Sequence, residues 1–176
     1  MSGFRARGFT LVELMVVVAI VAVLLAVGLP SFRDSLQRNR VATLSNEIIG
    51  SVSLARNEAI RTTRGAGVCA SFDGATCGND WNAGWLVWAN VGAANGTLDA
   101  GDEIVRVIDA HPKMRVVATV SGVTTDTIAF DSRGRALAPA QINMRPDSCP
   151  AGRKLVRQIR VNAVGQIQTT QADCAP

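Results

Sequence analysis

The sequence contains no tyrosine and a single histidine, His111, and none of its four cysteines belongs to a CxxC pair. No serine or cysteine motif accompanies His111, and no two carboxylates occur at a spacing typical of acid–base catalysis. The missing CxxC spacing argues against a zinc knuckle and against a thioredoxin-type redox site. We therefore expect a protein that is not an enzyme and that uses neither a metal nor a cofactor.

The chain also lacks a strong excess of charge of either sign. Its 18 lysines and arginines against 14 acidic residues give a formal charge of +4 over 176 residues. A balance this mild does not by itself indicate a nucleic-acid-binding protein. The length allows one modest domain and an N-terminal extension.

Charged and hydroxyl side chains are absent from a long stretch near the N-terminus. The 16 residues 14–29 contain neither, and Phe9–Val12 extend the segment to the roughly 20 residues that a membrane-spanning helix needs. Arg5 and Arg7 precede it, which predicts a cytoplasmic N-terminus and export of the chain after Pro30. A cleaved signal peptide and a permanent single-span anchor are simpler alternatives.

The helical pattern continues beyond Pro30. Six apolar residues recur at spacings of three and four and define one stripe: Val41, Leu44, Ile48, Val52, Ala55 and Ala59. We predict one helix from about Thr10 to about Arg61, apolar all round in its first half and amphipathic in its second, with Gly28–Pro30 as the place for a kink. A signal peptide has no reason to merge with such a helix.

The four cysteines form two local groups in the part of the chain that we expect to be exported. An even number of cysteines in an oxidising compartment predicts two disulfides. We favour Cys69–Cys77 and Cys149–Cys174, although three connectivities are possible and the sequence does not choose among them. Free buried cysteines are the alternative.

Short β-like runs separated by Gly, Asn and Asp turns follow the helix. The predicted strands are Gly67–Phe72, Gly84–Asn90, Glu103–Ile108, Arg115–Val120, Thr127–Asp131, Gln141–Met144, Leu155–Asn162 and Gln166–Thr170. They predict an α+β fold, in which the amphipathic half of the helix packs on an antiparallel sheet. The sheet belongs to a head, which we define as residues 63–176.

Three tryptophans, Trp81, Trp85 and Trp88, fall within eight residues of this head. Trp85 and Trp88 point to opposite faces of a strand, so we expect one of them in the helix–sheet core and another partly exposed. A platform on which DNA bases stack is the alternative interpretation.

The stretch Gly8-Phe9-Thr10-Leu11-Val12-Glu13, between a short basic leader and a long apolar helix, resembles the N-terminus of type IV pilins and pseudopilins. The resemblance implies that a prepilin peptidase cuts after Gly8 and that Phe9 is then N-methylated. It divides the chain into a leader (1–8), a membrane and assembly helix (9–30), an amphipathic continuation (31–62) and the head.

The resemblance also suggests a role for Glu13. A carboxylate inside hydrocarbon costs roughly 2.5–3.5 kcal/mol, and Glu13 lies four residues along the helix from Phe9, on the same face. In a filament, Glu13 of one subunit can pair with the new Phe9 amine of its neighbour, which recovers much of the cost. We expect Phe9, Glu13 and Pro30 to serve assembly. The alternative is an acid tolerated near the lipid headgroups.

Three further segments resemble the GspH/FimT-like group of minor pilins and pseudopilins: "SVSLARNEA" from Ser51, "DWNAGWLVWAN" and "FDSRGRALA". The resemblance implies a minor type IV pilin at the tip or in the initiation complex. Its partners are then other minor pilins, the major pilin, the inner-membrane assembly machinery and membrane lipid. The resemblance also implies that the chain is held in the inner membrane with a periplasmic head before it enters the pilus. The alternative is a pseudopilin in the periplasmic pseudopilus of a type II secretion system.

A receptor for DNA uptake is the third possibility, carried by Arg153, Lys154, Arg157 and Arg160. Some relatives bind DNA through a Gly-Arg-x-Arg motif, but the matching residues here are Gly165-Gln166-Ile167-Gln168. Glutamine lacks the charge that drives phosphate binding through counterion release. Arg157 and Arg160 are also expected on opposite strand faces. Both points argue against DNA binding.

Overall fold

The computed structural model describes residues 10–92 and 95–175. They form one long helix, one short 3-10 helix and nine strands. Two compact units divide between Arg38 and Asn39. The first contains the beginning of the long helix, and the second contains the end of that helix and the whole of the described head.

Helix α1 spans Leu11–Thr62, which confirms the predicted extent to within one residue at each end. All six residues of the predicted apolar stripe are buried. The helix ends where Thr63 takes a left-handed conformation (φ 57°) and Gly65 follows with φ 103°, since a helix cannot continue through such residues. Among the described residues, no helix combines the length and the hydropathy that crossing a membrane requires.

The described strands form two antiparallel sheets. Their bounds are β1 Ala66–Ala70, β2 Gly84–Ala89, β3 Glu103–Asp109, β4 Met114–Val120, β5 Val123–Thr124, β6 Thr127–Phe130, β7 Ala140–Pro146, β8 Val156–Val161 and β9 Ile167–Ala172; the 3-10 helix is Trp81–Ala83. The four-stranded sheet has the order β3-β2-β1-β6, and the five-stranded sheet has the order β5-β4-β7-β8-β9.

The α+β class and the eight predicted strands are confirmed, but the sequence missed one strand and the division into two sheets. β5 contains only two residues, too few for alternation to be visible. The division depends on pairing between distant segments, such as β1 with β6 and β4 with β7. Residue patterns report which faces are apolar and do not report which strands are neighbours.

The main core lies between the buried stripe of α1 and the inner faces of both sheets. Trp85 and Phe130 come from the four-stranded sheet, and Ile142 and Ile159 come from the five-stranded sheet. The Trp85 indole Nε1 donates to the Ser51 hydroxyl at 2.9 Å, and that hydroxyl donates to the carbonyl of Glu47 at 2.8 Å. The polar atoms that this contact buries are therefore satisfied.

A second apolar cluster covers the opposite face of the four-stranded sheet. Cys69, Leu86 and Trp88 are fully buried there, and Leu98 and Ala129 pack against them. The expectation of a partly exposed tryptophan is therefore wrong, because the segment around Leu98 covers this face. Since Trp81, Trp85 and Trp88 are all buried, these side chains do not offer a platform for stacking DNA bases.

A substitution at Gly67 tests how tightly this second cluster is packed. A Cβ at this position lies 2.6 Å from the Trp88 ring and 3.0 Å from the carbonyl of Ile128. We expect Gly67→Ala to destabilise the protein by about 1–3 kcal/mol, because a buried indole and a strand backbone must shift. Chemical denaturation measures the change. Gly50→Ala is the matched control: its Cβ meets nothing within 4 Å, so this helical substitution should stabilise the protein or leave it unchanged.

Candidate assembly and docking surfaces

Glu13 lies in the first turn of α1, the position at which a carboxylate interacts favourably with the helix dipole. Its backbone N–H donates to the Thr10 hydroxyl at 3.2 Å. Thr10 and Glu13 thus have the spacing of a capping box, in which the first side chain satisfies a free amide of the helix start. The side chain of Glu13 remains exposed in the single chain, which leaves it accessible to a partner.

The beginning of α1 exposes apolar side chains on every side. Thirteen large apolar side chains between Leu11 and Leu29 are 46–74% exposed in the single chain. A helix that is apolar all round is normally buried in a protein interior or in lipid. In the single chain, this part of α1 has no such cover.

The remaining predicted assembly residues are only partly covered by the structure. Gly8 and Phe9, the predicted processing site, lie outside the described residues. Pro30 lies within the helical span Leu11–Thr62, so the backbone continues as a helix through it.

Both disulfides have the connectivity that the sequence analysis favours. Cys69 is bonded to Cys77, and Cys149 is bonded to Cys174. The first closes the loop after β1. The second joins the segment before β8 to the segment after β9, and it therefore closes the open end of the last hairpin.

Arg56 brings together two of the motifs on which the family resemblance rests. Its Nε donates to the carbonyl of Gly134 at 2.9 Å, and its Nη2 donates to the carbonyl of Val164 at 3.5 Å. Gly134 and Gly165 are both buried and have positive φ angles of 72° and 78°. The arginine of the "LARNEA" helix thus contacts both the "FDSRG" turn and the β8–β9 turn. The sequence shows the motifs, but the contact depends on folding.

The four basic residues considered for DNA binding do not share one surface. Ile159 and Val161 of β8 are buried, whereas Arg160 is exposed. Arg157 has the parity of the buried residues and a partly buried side chain, so it lies on the opposite face from Arg160, as predicted. Arg153 and Lys154 lie before the strand. The basic residues that we considered as phosphate contacts therefore lie on different surfaces of the protein.

The outward face of the five-stranded sheet is a different basic surface, which the sequence analysis missed. Arg115 pairs with Arg145 across β4 and β7, and Arg160 lies on the same face opposite Gln141. No strand of this sheet contains an acidic residue. Asp147, just beyond β7, forms an ion pair with Arg115 at 3.0 Å. Only the strand register places these arginines on one face.

His111 joins the helix to the β3–β4 connection. Its Nε2 lies 2.6 Å from the Glu47 carboxylate, and its ring stacks on Trp85 with centroids 5.8 Å apart. This histidine therefore packs against the core.

Comparisons with known proteins assign this architecture to a family. Residues 44–165 match the family described as Type II transport protein GspH, which is more than half of the chain. The chain belongs to the GspH family. Residues 3–29 match the Prokaryotic N-terminal methylation motif. The GspH family consists of pilin and pseudopilin subunits, which are structural proteins and not enzymes.

Curated relatives support the same assignment. The Type IV major fimbrial protein FimA of Dichelobacter nodosus is 33% identical over 117 residues, covering 64% of this chain and 70% of that protein. The Type IV major alpha-pilin of Moraxella bovis is 40% identical over 42 residues, only 24% of this chain and 26% of its own length.

Solved structures with this fold come from both pili and secretion systems. The type IV minor pilin FimU of Pseudomonas aeruginosa aligns with a TM-score of 0.56 at 18% identity, over 76% of this chain and 90% of FimU. The minor pseudopilin EpsH from the Type 2 Secretion System of Vibrio cholerae aligns with a TM-score of 0.52 at 10% identity, over 74% of this chain and 94% of EpsH. At these identities the likeness shows the fold alone.

Proposed function

We propose that this GspH-family chain is a minor type IV pilin. The N-terminal region is cut between Gly8 and Phe9 and methylated on Phe9, residues 9–30 hold the chain in the inner membrane, and the head lies in the periplasm. The subunit then enters a pilus, at its tip or in its initiation complex, beside other minor pilins and the major pilin. The match of residues 3–29 to the methylation motif supports the processing step.

The observation that carries this proposal is the exposed apolar surface at the start of α1. Between Leu11 and Leu29, the helix offers only apolar side chains apart from Glu13. Lipid before assembly and the apolar helices of neighbouring subunits after assembly both bury such a surface. Transfer between the two needs little change in apolar burial, so a specific polar contact can determine the register.

Glu13 is the group that we propose determines the register. A carboxylate buried among apolar helices is costly unless a cation pairs with it. The amine of a processed Phe9 on a neighbouring subunit is such a cation. Misaligned helices leave the carboxylate unpaired, so the aligned packing is favoured over loose clustering.

A pseudopilin of a type II secretion system is the second candidate. The fold shared with EpsH favours it, as does the description of the matched family. We place the pilus first because the curated relatives named above are fimbrial proteins and pilins. Comparing pilus assembly with protein secretion in cells that lack this chain separates the two candidates.

Glu13→Ala tests the proposal. We expect the variant to reach the membrane and to be processed normally, but to be depleted at least tenfold from sheared filaments, because its helix no longer has a register-determining partner. Quantitative immunoblotting of the membrane and filament fractions measures the ratio. Val12→Ala, which changes a neighbouring exposed residue without removing the charge, should assemble normally. Normal incorporation of Glu13→Ala contradicts the proposed role.

A further inference from the structure

Phe72 is the most exposed large apolar side chain in the described part of the protein, at 89%. It lies two residues after the end of β1, within the loop that the Cys69–Cys77 disulfide closes. An exposed aromatic side chain on a mobile loop has little significance, since single exposed apolar residues are common. Phe72 is therefore a candidate binding residue only if its loop is held in one conformation.

Hydrogen bonds hold this loop in one conformation. The Asp73 carboxylate accepts from the backbone N–H groups of Ala75 and Thr76 at 2.9 and 2.8 Å, and from the Thr76 hydroxyl at 2.7 Å. The Ser71 hydroxyl donates to the carbonyl of Thr76 at 2.7 Å and accepts from the N–H of Gly74 at 3.0 Å. A loop ordered in advance loses little conformational entropy when it binds a partner.

The same contacts keep Asp73, the residue that follows Phe72, negatively charged. Hydrogen bonds from the N–H groups of Ala75 and Thr76 hold the pKa of Asp73 well below its ordinary value, because they stabilise the ionised carboxylate. Phe72 and Asp73 together form a convex apolar knob with an adjacent anion. Small-molecule sites are concave, so a partner of this knob must itself supply the cavity.

A groove on the five-stranded sheet has the complementary properties. It has a volume of about 510 Å³ and a mixed lining, in which the apolar part is Gly122, Pro139, Ala140 and Val161 and the polar part includes Gln141 and Arg160. We name it the Arg160 groove. The exposed side chain of Arg160 contacts the same wall of the groove, because its Nε donates to the Gln141 side-chain oxygen at 3.3 Å. No residue of the 71–80 loop lines this groove.

We propose that Phe72 of one copy inserts into the Arg160 groove of a second copy. The apolar surface at Pro139 receives the ring, and the Arg160 guanidinium can lie over its face in a cation–π contact. Asp73, the next residue in the chain, carries the charge opposite to that of Arg160. Knob and groove are separate surfaces of the head, so the contact can be reciprocal within a dimer or can join each head to two neighbours.

The contact adds a head-to-head interface to the helix packing proposed above and does not depend on Glu13. A photo-crosslinking amino acid, p-benzoylphenylalanine, replaces Phe72 in the purified full-length chain in detergent micelles. We expect a covalent dimer after irradiation, with the crosslink mapped by mass spectrometry to residues 119–122, 139–141 or 160–168 of the second copy. The same probe at Val91, another exposed apolar position, is the matched control and should not label that groove.

Substitutions test the energetics of the same contact in sedimentation experiments. Phe72→Ala should weaken head-dependent dimerisation about tenfold, as expected for a central anchor, and Phe72→Trp should preserve it. Arg160→Glu should weaken it at least as strongly, and Arg160→Lys should weaken it less, because lysine keeps the charge and loses the planar group. High salt should weaken the wild-type contact.

Three results overturn the proposal: a crosslink that maps to helix α1 alone, a crosslink within the same chain, or dimerisation that is unchanged by both Phe72→Ala and Arg160→Glu. If Phe72 crosslinks in whole cells only to a different pilus subunit, the second-copy assignment is wrong. Failure of Glu13→Ala to impair assembly contradicts the proposed helix role and leaves the result of this crosslink unaffected, so the two failures are distinguishable.

Discussion

Replacing both Cys149 and Cys174 by serine should destabilise the protein by about 3–4 kcal/mol. The chain-entropy model assigns roughly this amount to a loop of this length, because the residues are separated by 25 positions. The disulfide lies beyond the paired end of the last hairpin, where Val156 is opposite Ala172. Without this disulfide the unfolded chain gains conformational entropy. The folded hairpin also loses the covalent bond that joins its two strands at the open end.

Thermal and denaturant unfolding of the oxidised protein measure this loss. A reducing agent supplies the control: the difference between wild type and the double-serine variant should disappear once the wild-type disulfides are reduced. The Cys69–Cys77 loop is shorter, with a separation of 8, so its removal should cost about 2–3 kcal/mol by the same relation. Equal stability of the oxidised wild type and the Cys149/Cys174 variant contradicts the prediction.

Trp85→Ala should destabilise the head by about 3–5 kcal/mol, the usual cost of removing a large aromatic side chain from a core. Trp85 is 1% exposed, and it packs between the apolar stripe of α1 and the sheet. Its loss leaves a cavity at this junction, and it also removes the indole donor from the buried Ser51 hydroxyl.

The loss of stability has two contributions, the removed side-chain volume and the removed hydrogen bond to Ser51, which further variants can separate. Trp85→Phe keeps an aromatic ring but leaves Ser51 without its donor, which should cost about 1–3 kcal/mol, and Ser51→Ala should recover part of that cost in the double variant. Phe72→Ala is the matched control, since it removes an exposed aromatic side chain and should change stability by less than about 0.5 kcal/mol. A comparable loss for Phe72→Ala and Trp85→Ala contradicts this account of the core.

Features determined by neighbouring residues were predictable. The spacing of the stripe from Val41 to Ala59 identified the buried face of α1, because a helix repeats every 3.6 residues. Strand alternation predicted that Arg157 and Arg160 lie on opposite faces. Trp88 was predicted less well, since alternation places it on the outer face of its sheet and does not reveal that the segment around Leu98 covers that face.

The candidate functional surfaces also differ in whether the sequence could predict them. The role proposed for Glu13 comes from its place in the N-terminal motif. The contacts of Arg56 with Gly134 and Val164 span 78 and 108 residues, and no local pattern signals them. Phe72 had no distinguishing signal either, because its exposure and the rigidity of its loop arise from contacts made only after the chain has folded.

By itself, the sequence determined the long helix, its change from wholly apolar to amphipathic, the existence of eight strands and the type IV pilin character of the N-terminus. These depend on periodicity and on a contiguous motif, both of which act over a few turns or residues. Only the tertiary structure decided the division into two sheets, the burial of Trp88, the joining of two motifs by Arg56 and the presentation of Phe72 and Arg160. Each of these depends on pairing and packing between segments far apart in the chain, where many arrangements satisfy the same local pattern and the free energy of the whole fold selects one.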